Sequence, residues 1–426
     1  MARRAAIAFD IDGVFKYGRE WSEHGLDALK RASAAGISYV FVTNGGGGLT
    51  EGTYGSHLKE KVLEAGGGQS GDIALPSAER MVLSYTPWHT QLAPELADKR
   101  VMLVGDPKEK VLNVAAQYGL KHVTHYTDYA ITHKHVNPFR AAKESGKSHT
   151  AVDNATAKTG PPFTGAAAAP GAAAPAAAHN VAAGDEVPFA AVLVMCDPYE
   201  WYEALQVSID VLCSPTPLTL QFDAQAPAMP IHFSNPDFLS KFEHPFPRFA
   251  QGAFKTALLA LYRARLRALR VPDELIDERV RRRAQYGAIR CAILAQFLRN
   301  SPTRRPVASQ VGASFKQWGK PTDATYRFVE KRLRELAGSS EPAAEEVFYM
   351  VGDNPTSDME GARRANIHHR GTGTTWKGVL VRTGVYKEGD ETNSAAVVVD
   401  GVREAVDWIL AQEAAADGPA AKKAKK

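Results

Sequence analysis

The stretch AFDIDGVF, Ala8 to Phe15, sets two carboxylates, Asp10 and Asp12, into an apolar run that reads as a buried strand. A charge without a partner costs several kcal/mol in a core, so the strand must end before the acids, or something must offset them. Both conditions hold if Ala5 to Phe9 fills a sheet and Asp10 to Gly13 leaves it at the carboxyl end. Asp10 and Asp12 flank one residue, so on a regular strand they share a face. Gly13 lets the backbone turn away just after them.

Working outward, apolar runs alternate with helix-period segments for most of the chain. That pattern predicts an α/β fold, doubly wound, with mostly parallel strands joined by crossover helices. A helix over Gly25 to Ala35 closes at Gly36 and leads into the strand ISYVFV, Ile37 to Val42, followed by TNGGGG. Further strand and helix pairs begin at Val101, at Ala190 and at Glu346, and VLVRTGVY and AVVVD read as two short strands. Two segments break the rhythm. From about 143 to 188 the chain is Ala, Pro and Gly with almost no large apolar side chain, too poor to bury a core and expected to be disordered. From Arg263 an Arg-rich segment shows a sparse apolar side, Leu266, Leu269, Leu275 and Ile276, and is expected as an exposed helical excursion.

In a doubly wound sheet, polar groups at the carboxyl ends of the strands converge on one crevice. There the Asp10 carboxylate and the Asp12 carbonyl can face one hard cation. The next strand end supplies the hydroxyl of Thr43, then Asn44 and Gly45, whose loop frees backbone N–H groups for phosphate oxygens. The strand ending VGD delivers Asp353, and Asp358 follows near the start of the next helix. Oxygen ligands from separate strands suit Mg²⁺. Lys320, before Pro321 and a helix start at Thr322 and Asp323, adds a fixed ammonium for the remaining phosphoryl charge.

DIDGV (Asp10 to Val14), TNGGG (Thr43 to Gly47), GKPT (Gly319 to Thr322) and GDNPTSD (Gly352 to Asp358) occur in the order of the four motifs of the haloacid dehalogenase (HAD) superfamily of Mg²⁺-dependent phosphatases, and the chain resembles its class IIA. Within that class, TNGGG, the stretch NPDFLSKFEHPFPRFAQGAF (Asn235 to Phe254) and VLVRTGVYK (Val379 to Lys387) are similar to the cat eye syndrome critical region protein 5 family. The resemblance implies a Rossmann-like core with an inserted α/β cap of the C2 type. It implies Asp10 as nucleophile and Asp12 as general acid and base. Thr43 and Lys320 would hold phosphate, Asp353 would bind the metal, and Asp358 would orient the metal or the lysine. Asn235 and Asp237 match a cap loop near the active site of class IIA relatives. The expected division is 1–84 and 318–412 for the core, 85–250 for the cap, 251–317 for a helical connection and 413–426 for a disordered Lys-rich tail.

The function these readings favour is hydrolysis of a small-molecule phosphate ester through an aspartyl-phosphate. The competing reading is a catalytically weak protein of the same fold with a binding or regulatory role, in mitochondrial glycerophospholipid metabolism by the labels of its relatives. A phosphatidyltransferase is not expected, because the D-G-x-x-A-R…G-x-x-x-D-x-x-x-D pattern is absent from the sequence. Of the formal net charge of +4, four lysines lie in the tail AAKKAKK, so the remainder is neutral and nucleic acid is not an expected partner. No apolar run approaches the roughly 18–20 residues that cross a bilayer, and the expected setting is intracellular and soluble, cytoplasmic or mitochondrial. A homo-oligomer formed through the cap is compatible with this reading. The three cysteines, Cys196, Cys213 and Cys291, have neither disulfide nor zinc spacing.

Overall fold

The acidic strand begins earlier than its apolar residues suggest, as Arg3–Phe9, and lies inside a six-stranded sheet. Its neighbours are Glu345–Gly352 and Ser38–Thr43, both parallel to it. Thr374–Val381 and Val397–Val399 continue the sheet on one side, Met81–Leu83 on the other, and every pairing is parallel. This is a computed structural model describing residues 3–69, 71, 73–133, 136–139, 187–214, 228–240, 244, 246–280 and 315–417. The 143–188 expectation falls almost wholly outside them, as do Cys291, the last part of the Arg-rich segment (281–290) and the Lys-rich end of the tail.

A strand flanked on both faces by helices must be apolar on both faces, and Arg3–Phe9 meets that requirement. Ile7 and Phe9 pack with Leu26 and Leu29 of helix Gly25–Ala34 and with Val402, Val406 and Ile409 of helix Val402–Asp417. Ala6 and Ala8 face the opposite way, toward Tyr326, Val329 and Leu333 of Asp323–Leu336 and Ala362 and Ala365 of Glu360–His368. The sheet is therefore doubly wound.

A second, five-stranded parallel sheet is built between the two passes through the first, in the order Phe315–Gln317, Ile231–Phe233, Ala191–Val194, Arg100–Val104, His122–His125. The stretch expected as a helical connection, 251–317, differs from that reading. Helix Gln251–Ala268 buries Phe254, Leu258, Tyr262 and Leu266 in the core of the second sheet, and Phe315–Gln317 is its edge strand. The exposed excursion is corrected in the same way: Leu266 and Ile276 are buried, and only Leu269 of the four named residues is exposed. Apolar residues four apart fix one helix face to the core while the arginines occupy the other.

At the amino edge of the first sheet, Glu346 is fully buried between Arg4 (2.8 Å) and Arg334 (2.7 Å). Burial would push its carboxyl up, but the bonds and charge of Arg334, with the charge of Arg4, hold it below the ordinary 4.5. The pair thus stabilises the fold fully above the unfolded-state value, and the contribution is lost as pH falls through the lower folded value. Arg334→Leu leaves that buried charge with Arg4 as its one remaining ion-pair partner among the described residues and is expected to cost up to about 3–5 kcal/mol. Urea midpoints measured at neutral and at acid pH should show the gap between wild type and variant closing in acid.

Candidate active site

Asp10 is the first residue past its strand, and its N–H still donates to Val351 O (2.8 Å), one step beyond the ladder. Asp353 stands at the matching position past Glu345–Gly352. The parallel register that pairs Phe9 with Val351 therefore brings the two acids together at the carboxyl edge. Asp358 joins them from a single π turn, Pro355–Met359, ahead of the helix Glu360–His368. Its Oδ2 accepts from Asn354 N–H (3.1 Å) and its carbonyl from the Tyr326 hydroxyl (2.8 Å). Carboxylate oxygens of Asp10, Asp353 and Asp358, all buried, lie within 4.8 Å of one another.

One cation faces this group. Lys320 Nζ lies 2.8 Å from Asp10 Oδ1 and 2.7 Å from Asp358 Oδ1, with its side chain only 1% exposed. Burial disfavours its charge, but the two carboxylates outweigh burial and hold the ammonium above its ordinary value. The acids respond oppositely. Burial raises Asp10 well above the usual carboxylate range against the pull of Lys320, with Asp358 and Asp353 adding to the rise. Burial and then Asp358 raise Asp353 to about 7, opposed by the Val385 N–H and by Lys320. Three buried carboxylates against one ammonium leave a surplus of negative charge. Hard oxygen donors gathered on one point in this way fit a divalent cation such as Mg²⁺.

The remaining expected residues divide into those at the centre and those that support it. Thr43 ends its strand, and its Oγ1 accepts from Gly45 N–H (2.9 Å), which leaves the hydroxyl hydrogen free to donate. Asp12 Oδ2 lies 3.7 Å from where a Gly45 Cβ would stand, so Asp12, Thr43 and Gly45 share one rim. Asp12 is exposed, with Lys16 Nζ at 3.5 Å, and its carboxylate is not one of the buried three. The Asn44 side chain is engaged within the protein. Its Nδ2 donates to Lys320 O (2.9 Å) and Asp237 Oδ1 (3.0 Å), and its Oδ1 accepts from Lys320 N–H (2.6 Å). It clamps the lysine to the second sheet's loop. Asp237 therefore reaches the centre, and burial lifts its carboxyl to about 6 against Asn44 and Lys320. Asn235 shapes the turn beside it: its Oδ1 accepts from Asp237 N–H (2.8 Å), and its N–H donates to Gln251 Oε1 (2.8 Å).

Sequence reasoning missed the residues that back the acids. Asp353 Oδ2 accepts from Val385 N–H (2.6 Å), and its carbonyl from Tyr386 N–H (3.1 Å). The turn can come so close because residue 384 is glycine: a Cβ there would overlap the Asp353 carboxylate. A glycine directly after the polar end of a core strand is the signal that could have found it. Gly384→Ala is expected to push Asp353 aside, and with Asp353 as a Mg²⁺ ligand, the role proposed below, affinity for the ion should fall about 10–100-fold, the usual cost of losing a ligand's support. Titration calorimetry with MgCl₂ measures it, and unchanged affinity would remove Gly384 from the account. Tyr54 was also missed; burial, then the charges of Asp12 and Asp10, raise its hydroxyl above the ordinary value.

Elsewhere, Cys196 is buried and Cys213 half-buried, both as free thiols. His133 stacks on Tyr129 at 4.1 Å. Among the described residues no helix is long and apolar enough to cross a membrane.

Two family models match the chain: haloacid dehalogenase-like hydrolase over residues 7–121 and HAD-hydrolase-like over residues 317–405. These spans hold Asp10, Asp12, Thr43 and Asn44 on one side and Lys320, Asp353 and Asp358 on the other. A mitochondrial hydrolase of Saccharomyces cerevisiae is 27% identical, with 96% of each chain covered. A Schizosaccharomyces pombe protein that fuses a CMP-forming cardiolipin synthase to a mitochondrial hydrolase is 26% identical over 98% of this chain, which spans 54% of that protein. Two solved structures share the fold. One, from Cytophaga hutchinsonii, is described as a possible sugar phosphatase of the HAD superfamily (TM-score 0.52, 13% identity, 94% of each chain covered). The other is a 4-nitrophenylphosphatase of Thermotoga maritima (TM-score 0.51, 14% identity, 94% of this chain and 96% of that one).

Proposed function

Since the chain belongs to the haloacid dehalogenase-like hydrolases, we propose that it is a Mg²⁺-dependent phosphomonoesterase acting on a small organic phosphate through an aspartyl-phosphate on Asp10. The observation that carries this reading is the Lys320 ammonium, buried between Asp10 and Asp358 beside a third carboxylate. Phosphate monoesters hydrolyse so slowly unaided that up to ~10²¹-fold acceleration is required. A carboxylate nucleophile splits the reaction into two easier steps. Asp10 attacks phosphorus, and the ester oxygen leaves. Lys320 and the Thr43 hydroxyl hold phosphoryl oxygens, with backbone N–H groups of the Asn44 and Gly45 loop beside them. Asp12, on the open rim, gives its proton to the leaving alkoxide and later takes one from the water that attacks the aspartyl-phosphate. Asp10, Asp353 and the Asp12 carbonyl would hold Mg²⁺, oriented by Asp358, and the ion would neutralise phosphoryl charge as a Lewis acid.

In this reading the second sheet, between the two halves of the core, is the cap. Asp237, bonded to Asn44, is its contribution to the substrate side. The test is release of phosphate from p-nitrophenyl phosphate. We expect turnover with MgCl₂, none with EDTA, and recovery when MgCl₂ is restored. Equal rates with and without EDTA would overturn the metal's role, and failure to hydrolyse any phosphate ester would favour a binding protein. The Schizosaccharomyces pombe fusion favours one refinement, in which the ester belongs to mitochondrial glycerophospholipid metabolism.

A further inference from the structure

Directly after Asp237 the chain forms a small antiparallel hairpin, Leu239–Ser240 against Arg248–Phe249, that belongs to neither large sheet. Its feet are tied to the body of the protein, one of them at the rim of the acid centre. Asp237 holds Asn44 at one foot, and at the other Gln251 accepts from Asn235 N–H. A two-stranded hairpin is marginal in water unless an apolar face is covered. This one turns its apolar side chains outward: Phe238 is 38% exposed, Leu239 45%, Phe246 72% and Phe249 63%. The rings of Phe238 and Phe249 meet edge to face at 5.8 Å. Among them stands exposed Arg248, with Nη1 3.0 Å from His244 Nδ1. Over the hairpin sequence, 238–249, the cations Lys241 and Arg248 outnumber the one carboxylate, Glu243.

We propose that this hairpin docks on an anionic phospholipid bilayer, its phenylalanines entering the boundary between headgroups and acyl chains and Arg248 meeting headgroup phosphates. Aromatic side chains favour that boundary, and a cation beside apolar anchors adds attraction to anionic lipid. The size of the patch argues for a membrane over a protein. A stable protein interface needs roughly 20–30 residues a side, whereas a bilayer asks only for a few apolar anchors and a cation. Taken with the phosphomonoesterase reading, on which this consequence rests, the hairpin would bring the site to phosphate monoesters displayed at a lipid surface.

The test is co-sedimentation of the full chain with vesicles of phosphatidylcholine alone and of phosphatidylcholine with phosphatidylglycerol. We expect the chain to pellet with the phosphatidylglycerol vesicles. The double variant Phe246→Ser and Phe249→Ser should lower that partitioning at least tenfold, by loss of two apolar anchors, while hydrolysing p-nitrophenyl phosphate at the wild-type rate. Wild-type chain that stays in the supernatant overturns the proposal, as does a double variant that pellets equally. Light scattering that finds a dimer converted to monomer by the same substitutions also overturns it, by assigning the hairpin to a second copy. Vesicle binding without turnover of any phosphate ester would leave the docking in place and remove the phosphatase reading.

Discussion

Asp10→Asn is expected to reduce phosphate release by at least ~10⁴-fold, the scale on which removal of a covalent nucleophile acts, with the circular dichroism spectrum unchanged. The amide keeps the shape of the carboxylate, so its oxygen can still accept from Ile11 N–H, now 2.7 Å away. What it loses is the charge that in the proposed mechanism attacks phosphorus and that partners Lys320 at 2.8 Å. Stability should move little, because burial opposes the charge of Asp10 and a neutral amide escapes that cost. Loss of activity with a retained fold therefore separates chemistry from architecture. An Asp10→Asn protein as active as wild type would end the nucleophile assignment.

Lys320→Met is expected to remove activity and to destabilise the protein by about 3–5 kcal/mol, the cost of breaking a buried ion pair by removing one partner. The lysine is the only cation within an ion-pair distance of Asp10 or Asp358 among the described residues. Without it, the three carboxylates face one another in a buried crevice. Urea unfolding measures the loss, and added MgCl₂ should recover part of it, since a ligand that binds only the folded chain stabilises it by mass action. A Lys320→Met protein with an unchanged urea midpoint would mean that the ammonium does not offset the acids.

The strand carrying Asp10 was legible because its composition conflicts with burial: acids at the end of an apolar run demand a reason, and the carboxyl edge of a parallel sheet supplies one. Lys320, Asp353 and Asp358 follow the same logic, each standing just beyond an apolar segment or at a helix entrance. Asn44 was legible as a loop residue but not as the clamp on Lys320 and Asp237, because its partners lie 276 and 193 residues away and nothing local encodes the pairing. The support behind Asp353 was hidden for the same reason: Val385 acts through its backbone, which leaves no mark on residue type. Helix Gln251–Ala268 was obscured by its charge. Arginines 263, 265 and 267 draw attention to the solvent face, while Leu258, Tyr262 and Leu266, four residues apart, hold the buried one.

The central claim is that Asp10 becomes phosphorylated during turnover, and chemical trapping tests it most directly. Borohydride reduces an acyl phosphate to an alcohol, so quenching the wild-type protein during hydrolysis of p-nitrophenyl phosphate should convert Asp10 to homoserine, read by peptide mass spectrometry. The account predicts that modification at Asp10, absent without substrate and absent in Asp10→Asn. Steady turnover with Asp10 unmodified, or with the modification on another carboxylate, would contradict it.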